Sequence, residues 1–251
     1  MDLSFIIPAY NESARIERSL QQAMEYFQYQ PYTWEILVVD DGSRDDTAAI
    51  VRRYEGERLR LLEQPRNMGK GAAVRRGMLE ATGQFRIFSD ADFSTPITET
   101  GGVVVLLSMY DVVIGSRALD RNLVKVHQPW YRETMGKVFN LMVQALAVPG
   151  IKDTQCGFKG FRDYAAREIF SRTKIDGFSF DAEAIFLARR LGFTIKEMPV
   201  EWHNDERSTL HPIFDSLKMM RELVKIRGLH KGEKRIQEEP KQPESETEGE
   251  V

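Results

Sequence analysis

The chain has 251 residues and 42% apolar content, enough for one large α/β domain or two small ones with a substantial core. Its 35 basic and 38 acidic side chains give a formal net charge of -3 and no global basic field, which argues against nucleic acid as a partner. The single cysteine, Cys156, excludes an internal disulfide framework and a multi-cysteine zinc site and fits a reducing compartment. No run of about 18 or more residues is apolar enough to span a bilayer, so any membrane contact is expected to be peripheral.

From Met1 the chain runs directly into an apolar strand, Leu3 to Ile7, without a basic n-region or cleavage site; no secretory leader is expected, and the cytosol is the default location. A helix follows over Ala14 to Phe27, where Ile16, Leu20, Ala23, Met24 and Phe27 recur at spacings of three and four and form one apolar stripe. Next come a strand from Glu35 to Asp40, a helix from Asp46 to Tyr54 and a strand from Leu59 to Glu63. The segment Asn67 to Gly71 superficially suggests a phosphate loop. It lacks the first glycine and the closing hydroxyl residue of that motif, so its glycines are read as a tight entry into a helix over Ala72 to Ala81. A strand from Phe85 to Ser89, a helical stretch from Thr98 and a strand from Val112 to Gly115 complete a βαβ grammar. This predicts an α/β fold with a mostly parallel central sheet flanked by helices. Strand ends coincide with polar clusters at Pro8 to Glu12, Asp40 to Ser43, Asp90 to Pro96 and Ser116-Arg117. Ligands of open α/β sheets bind outside the carboxyl ends of strands, so these clusters should meet in space.

Two later segments, Arg121 to Leu146 and Pro212 to Leu229, combine basic residues with apolar residues at helical spacing. Such helices can lie in an anionic headgroup layer, and ordinary core packing explains the same stripes equally well. His127, His203, His211 and His230 show no mutual spacing that suggests a zinc site. From His230 to Val251 seven acidic and four basic residues leave a net of -3; residues 230–251 are expected to be a disordered charged tail, with 1–229 as the domain.

The segment Ile87 to Asp92 is an apolar strand ending in Asp90-Ala91-Asp92. Carboxylates two apart on a strand share a face and can reach one hard cation and the diphosphate it holds, although a turn with helix-capping acids would look the same. At the end of the second strand, Asp40-Asp41-Gly42-Ser43 can accept hydrogen bonds from a base or ribose, or merely cap the next helix.

Pro8-Ala9-Tyr10-Asn11-Glu12, Val38 to Ser43 and Asp90-Ala91-Asp92, in that order and spacing, resemble the donor half of family-2 glycosyltransferases, and the likeness covers most of residues 1–230. The resemblance implies a GT-A (nucleotide-diphospho-sugar transferase) fold. Pro8, Ala9, Tyr10 and Glu12 would line the nucleobase and ribose, Asp40 would contact the base, and Asp41 would lie near the ribose. Asp90, Ala91 and Asp92 would bind the diphosphate, with Asp90 and Asp92 holding Mg2+ or Mn2+ and Asp92 the direct ligand. Mannosyl-carrier enzymes place a Gln two positions beyond the second Asp; here Ser94 departs from that pattern. Ile151 to Lys159 closely resembles the corresponding segment of dolichyl-phosphate glucosyltransferases, whereas mannose-transferring relatives usually carry a Pro-Thr-Ser-Gly-Phe-Arg variant. Gly115-Ser116-Arg117 and Tyr131-Arg132 resemble the two arginines these families place near the acceptor phosphate. In the segment resembling the loop that closes over the donor, Thr209 replaces a lysine and Arg207 is the nearest substitute.

The implied reaction is inverting transfer of a hexose, glucose from UDP-glucose, to a polyprenyl (dolichyl-type) phosphate on the cytoplasmic face of a membrane, with a separate membrane subunit left open as a further partner. Chemistry supports such an acceptor: its second pKa is near ~6, so the attacking oxygen is already largely ionised and arginine can hold it through paired N–H donors. Arg117 and Arg132 take that role, and Asp153 is a positioner or a base. Cys156 has no evident base partner and is read as a packing residue. GDP-mannose as donor and a soluble acceptor, for which Asp153 would be the base, remain alternatives. A silent nucleotide-sugar-binding module is a different class, and a dinucleotide-dependent oxidoreductase lacks its Gly-x-Gly-x-x-Gly after the first strand.

Overall fold

A computed structural model of the chain describes residues 1–126, 141, 143–144, 148–203 and 212–236, with backbone only for 126 and 212–218. Its strands are β1 (Leu3–Ala9), β2 (Trp34–Asp40), β3 (Leu59–Glu63), β4 (Phe85–Ser89), β5 (Val112–Ser116), β6 (Val124–Val126), β7 (Phe158–Arg162), β8 (Ile195–Pro199) and β9 (Trp202–His203). The helices are α1 (Ile16–Phe27), α2 (Thr47–Arg52), α3 (Lys70–Glu80), α4 (Thr100–Leu107), α5 (Asp163–Phe170), α6 (Phe180–Leu191) and α7 (Pro212–Leu229).

Seven strands form one sheet in the order β3-β2-β1-β4-β7-β5-β8; β7 runs antiparallel to both neighbours and every other pairing is parallel. β6 and β9 form a small parallel pair. The chain winds from β1 outward through β2 and β3, then returns to lay β4 on the opposite side of β1. That reversal opens a crevice at the carboxyl ends of β1 and β4.

β1 and β2 are buried at all their positions, as strands covered on both faces must be. Alternation along β1 divides the core: Phe5 and Ile7 pack with Leu20, Phe27 and Val103 from α1 and α4, whereas Ile6 packs with Met78, Phe88 and Phe180 on the other face. The stripe of α1 is borne out at Ile16, Leu20, Ala23 and Phe27, all fully buried, while Met24 sits on the rim at 36% exposure. In α7, Leu223 and Ile226 are buried in the core and Val224 faces outward at 67% exposure, so the apolar stripe is a packing stripe over that stretch.

At the amino edge of the sheet, Glu35 is a buried hub. Its Oε1 accepts from Ser4 Oγ (2.6 Å) and from Thr82 N and Oγ1 (2.8 Å each), and its Oε2 accepts from Arg60 Nη2 at 3.2 Å. Burial disfavours the charge, but these donors outweigh it and hold the carboxyl below its usual range.

The expected tail boundary at residue 230 falls too early. His230 is buried, with Nε2 2.7 Å from Glu183 Oε1, Arg190 donates to the carbonyls of Lys231 and Glu233, and Ile236 N donates to the Leu191 carbonyl. A charged composition does not prevent a backbone from packing where an arginine of α6 caps its carbonyls. Residues 237–251 lie outside the described residues.

Candidate active site

The acidic triplet lies just beyond β4, not on it. The strand ends at Ser89, and Asp90 to Phe93 form a turn in which Phe93 N donates to the Asp90 carbonyl at 3.2 Å. Phe93 adopts φ +48°, a strained left-handed value for a bulky residue, and its buried ring packs edge-on against Phe5 at 6.0 Å. A turn therefore brings the two carboxylates to the site, correcting the expectation of a shared strand face. Ala91 is the buried hinge between them: its methyl is in the core and its carbonyl accepts from Ser19 Oγ at 2.6 Å. Gly157 is what lets Asp90 sit here. Its carbonyl accepts from Asp90 N at 3.1 Å, and a Cβ on it would come within 2.0 Å of Asp90 Oδ2.

The turns after β1 and β2 are laced together. Asn11 N donates to Ser43 Oγ (2.9 Å), Arg44 N to Asn11 Oδ1 (2.8 Å) and Glu12 N to Thr47 Oγ1 (2.7 Å). Pro8 and Ala9 form the buried floor, and Tyr10 stands 37% exposed at the rim. Glu12 accepts from Arg15 Nε and Nη2, and Arg15 Nη1 lies 3.8 Å from Asp92 Oδ2. The base-side loop is thus tied to the acidic turn through one guanidinium. Asp40 accepts from Ser43 N at 3.1 Å through Oδ2, while its buried Oδ1 has no donor among the described residues. An unpaired buried acceptor costs about 1–3 kcal/mol, which a ligand N–H can recover. Asp41 behaves differently. Its oxygens accept from Gln64 Nε2 (2.7 Å), Met68 N (2.7 Å) and Gly69 N (2.8 Å), so it holds the 64–69 loop. Burial raises its pKa.

That loop also delivers a cation to the acidic turn. Lys70, the first residue of α3, puts Nζ 2.5 Å from Asp90 Oδ1. The helix amides are not available as an anion cradle, because Gly71 N and Ala72 N donate to the Asp176 carbonyl at 2.8 and 3.3 Å. Cβ atoms on Gly69 and Gly71 would run into the Asp176 and Ile175 carbonyls, so these glycines serve close packing, as expected. A cation at a helix amino terminus opposes the macrodipole, and this is the signal that Lys70 has another task. Burial works against its charge, but Asp90, Asp181 and Asp92 together raise its pKa. Behind it, Lys159 is fully buried on β7 and donates to Asp181 Oδ1 and the Cys156 carbonyl, each at 2.5 Å.

Arg117, just past β5, clasps Asp153: Nε donates to Oδ2 at 2.7 Å, Nη2 to Oδ1 at 2.9 Å, and the Arg117 backbone N to Oδ2 at 3.0 Å. Burial alone would raise the Asp153 pKa, but Arg117 and its hydrogen bonds outweigh it and hold the carboxyl below the ordinary range. The guanidinium stacks over Trp202 at 5.4 Å. Neighbouring Ser116 Oγ and Gln155 Nε2 are buried and, among the described residues, unpaired. Cys156 is buried beside them with its thiol pushed up to about 11, in keeping with a packing role. Arg132, Arg207 and Thr209 lie outside the described residues.

Asp90 and Asp92 offer two hard oxygen ligands, and among the described residues no cluster of three or more metal-binding side chains exists. Mg2+ is commonly held by one or two carboxylates plus substrate phosphates, so this donor set fits such an ion in the company of a diphosphate. No described helix is long and apolar enough to cross a membrane.

Comparison with known proteins agrees with this geometry. Residues 4–170 match the model of glycosyl transferase family 2. A dolichyl-phosphate beta-glucosyltransferase of Trichomonas vaginalis is 39% identical over 89% of this chain and 72% of its own length. Counterparts from Saccharomyces cerevisiae and Homo sapiens are 34% and 31% identical, each over 90% of this chain and 74% of theirs. Among solved structures, mannosyl-3-phosphoglycerate synthase from Rubrobacter xylanophilus superposes with a TM-score of 0.68 at 20% identity, covering 98% of this chain and 79% of that one. Glucosyl-3-phosphoglycerate synthase from Mycobacterium tuberculosis, in complex with Mn2+, UDP and phosphoglyceric acid, gives 0.62 at 19% identity, covering 90% and 76%. These likenesses bear out the GT-A fold.

Proposed function

The chain belongs to glycosyltransferase family 2, and from that premise we propose that it transfers glucose from UDP-glucose, with inversion, to the phosphate of a dolichyl-type polyprenyl phosphate. The names of its relatives support the sugar and the acceptor. One structural observation carries the choice of a phosphate acceptor over a neutral hydroxyl: the candidate base, Asp153, is locked onto Arg117 and held ionised below the usual carboxylate range. A carboxylate so committed is a poor proton acceptor and a good positioner. A phosphate oxygen that is already ionised needs no base, only cations that orient it, which Arg117 supplies and Arg132 completes.

On the donor side, Pro8, Ala9, Tyr10 and Glu12 form the base and ribose wall, and the unpaired Asp40 Oδ1 accepts from the base. Asp90 and Asp92 would hold Mg2+ or Mn2+, which supplies Lewis-acid stabilisation to the departing diphosphate. Contact with the bilayer is peripheral, at its cytoplasmic face.

The test is a panel of UDP-glucose, GDP-mannose and other nucleotide sugars against a polyprenyl phosphate, with and without chelator. UDP-glucose should yield the lipid-linked product, chelation should abolish it and added Mn2+ should restore it. Transfer from GDP-mannose alone would reassign the sugar. Undiminished transfer after complete metal removal would overturn the metal role, and no lipid-linked product from any donor would overturn the acceptor.

A further inference from the structure

Lys70 lies between two carboxylates of different standing. Asp90 belongs to the acidic turn and its Oδ1 is 2.5 Å from the ammonium of Lys70, whose side chain is only 23% exposed. Asp181, in the first turn of α6 and 4% exposed, belongs to a turn packed on the start of α3, where a Cβ on Gly71 would come within 2.7 Å of the Phe180 Cβ, and its charge acts on the same ammonium. Its Oδ1 is held by Lys159. The two anions differ in freedom. Lys159 is fully buried and anchored to the Cys156 carbonyl, so Asp181 is fixed, whereas the four-carbon stem of Lys70 can carry its charge from one acid to the other.

We propose that Lys70 is a resident counter-ion of the acidic turn, which an incoming divalent cation displaces from Asp90 onto Asp181. Without the cation, the ammonium offsets the repulsion between Asp90 and Asp92 and keeps the turn formed. With the cation on those carboxylates, an ammonium at its present position would face two like charges a few ångströms away, and Asp181 is the anion that receives it. Arg15 cannot make this move on the Asp92 side, because Glu12 holds its Nε and Nη2. Displacement makes cation binding weak on its own and strong together with a nucleoside diphosphate, whose negative charge joins the ligand set.

The inference rests on the metal reading given above, and its test separates the two. Mn2+ binding to the full chain is measured by the loss of the free-ion electron paramagnetic resonance signal, with and without UDP, for the wild type, Lys70→Gln and Asp181→Asn. Without UDP, Lys70→Gln should bind Mn2+ at least about tenfold more tightly than the wild type. Asp181→Asn should weaken Mn2+ binding, and adding it to Lys70→Gln should change little. If Asp181→Asn does not fold because Lys159 is stranded, the partly exposed Lys70→Gln decides alone. Mn2+ binding without UDP that Lys70→Gln leaves unchanged or weakens, while Mn2+ still binds with UDP, would overturn the displacement and leave the metal reading standing. No Mn2+ binding by any variant, with or without UDP, would overturn both.

Discussion

At the amino edge of the sheet Glu35 is surrounded by Ser4, Thr82 and Arg60, and each of its oxygens is engaged. At the carboxyl edge Asp40, Ser116 and Gln155 keep a buried atom with no partner among the described residues, and Asp90 and Asp92 lie beside the cations of Lys70 and Arg15. The same sheet thus carries a closed polar network at one end and an open one at the other. Closed networks contribute stability, whereas open ones hold capacity for a ligand. The amino edge is not perfectly closed: Arg86 Nη2 is also unpaired, although its other donors reach the Met78 and Gly83 carbonyls.

Substitutions should split along this line. Asp92→Asn is expected to lower transfer by about 100-fold or more, because a charge aimed at the departing diphosphate is lost. Its melting temperature should hardly move; product formation from labelled donor and a thermal melt report the two. Arg117→Ala should fail on both counts, since it removes an acceptor cation and strands Asp153, a loss of about 3–5 kcal/mol in denaturant unfolding. Full stability in that variant would break the assignment of Asp153 as a locked partner. Glu35→Gln should show the reverse of Asp92→Asn: a cost of about 1–3 kcal/mol with kcat unchanged. Its pH dependence sharpens the contrast. The Glu35 pKa is depressed in the folded state, so its contribution is present above the ordinary value of 4.5 and is lost as pH falls through the lower folded value. Acid titration of stability should therefore be flatter below pH 4.5 in Glu35→Gln than in the wild type. Cys156→Ser should have the smallest effect, with transfer kept and a loss of about 1 kcal/mol, and alkylation of the native thiol should be slow.

The donor half was readable because it follows rules of period and punctuation. β1 to β5 lie within two residues of the expected strands, and the polar clusters at Pro8 to Glu12, Asp40 to Ser43 and Asp90 to Asp92 gather at one crevice. Roles that depend on tertiary neighbours were less legible. The hold of Asp41 on the 64–69 loop and the tie of the Ala91 carbonyl to Ser19 depend on partners distant in the chain, which no local pattern announces. Lys159 and Arg86 look like surface residues, and both are fully buried because specific carbonyls and one carboxylate satisfy them. β7 was not read as a strand: five residues with a central glycine carry no clear alternation, and its direction is set by a long excursion.

The position of β7 bears on how the molecule assembles. β5 pairs with β7 and β8 and never with β4, so after residue 116 is made it has no partner in the main sheet until residues 158–162 exist. β1 to β4 can form as a self-contained parallel unit, while the far side waits for a segment some forty residues downstream to insert as a wedge. Refolding should therefore begin with amide protection in β1, β2 and β4, with β5, β7 and β8 gaining protection together in a slower step.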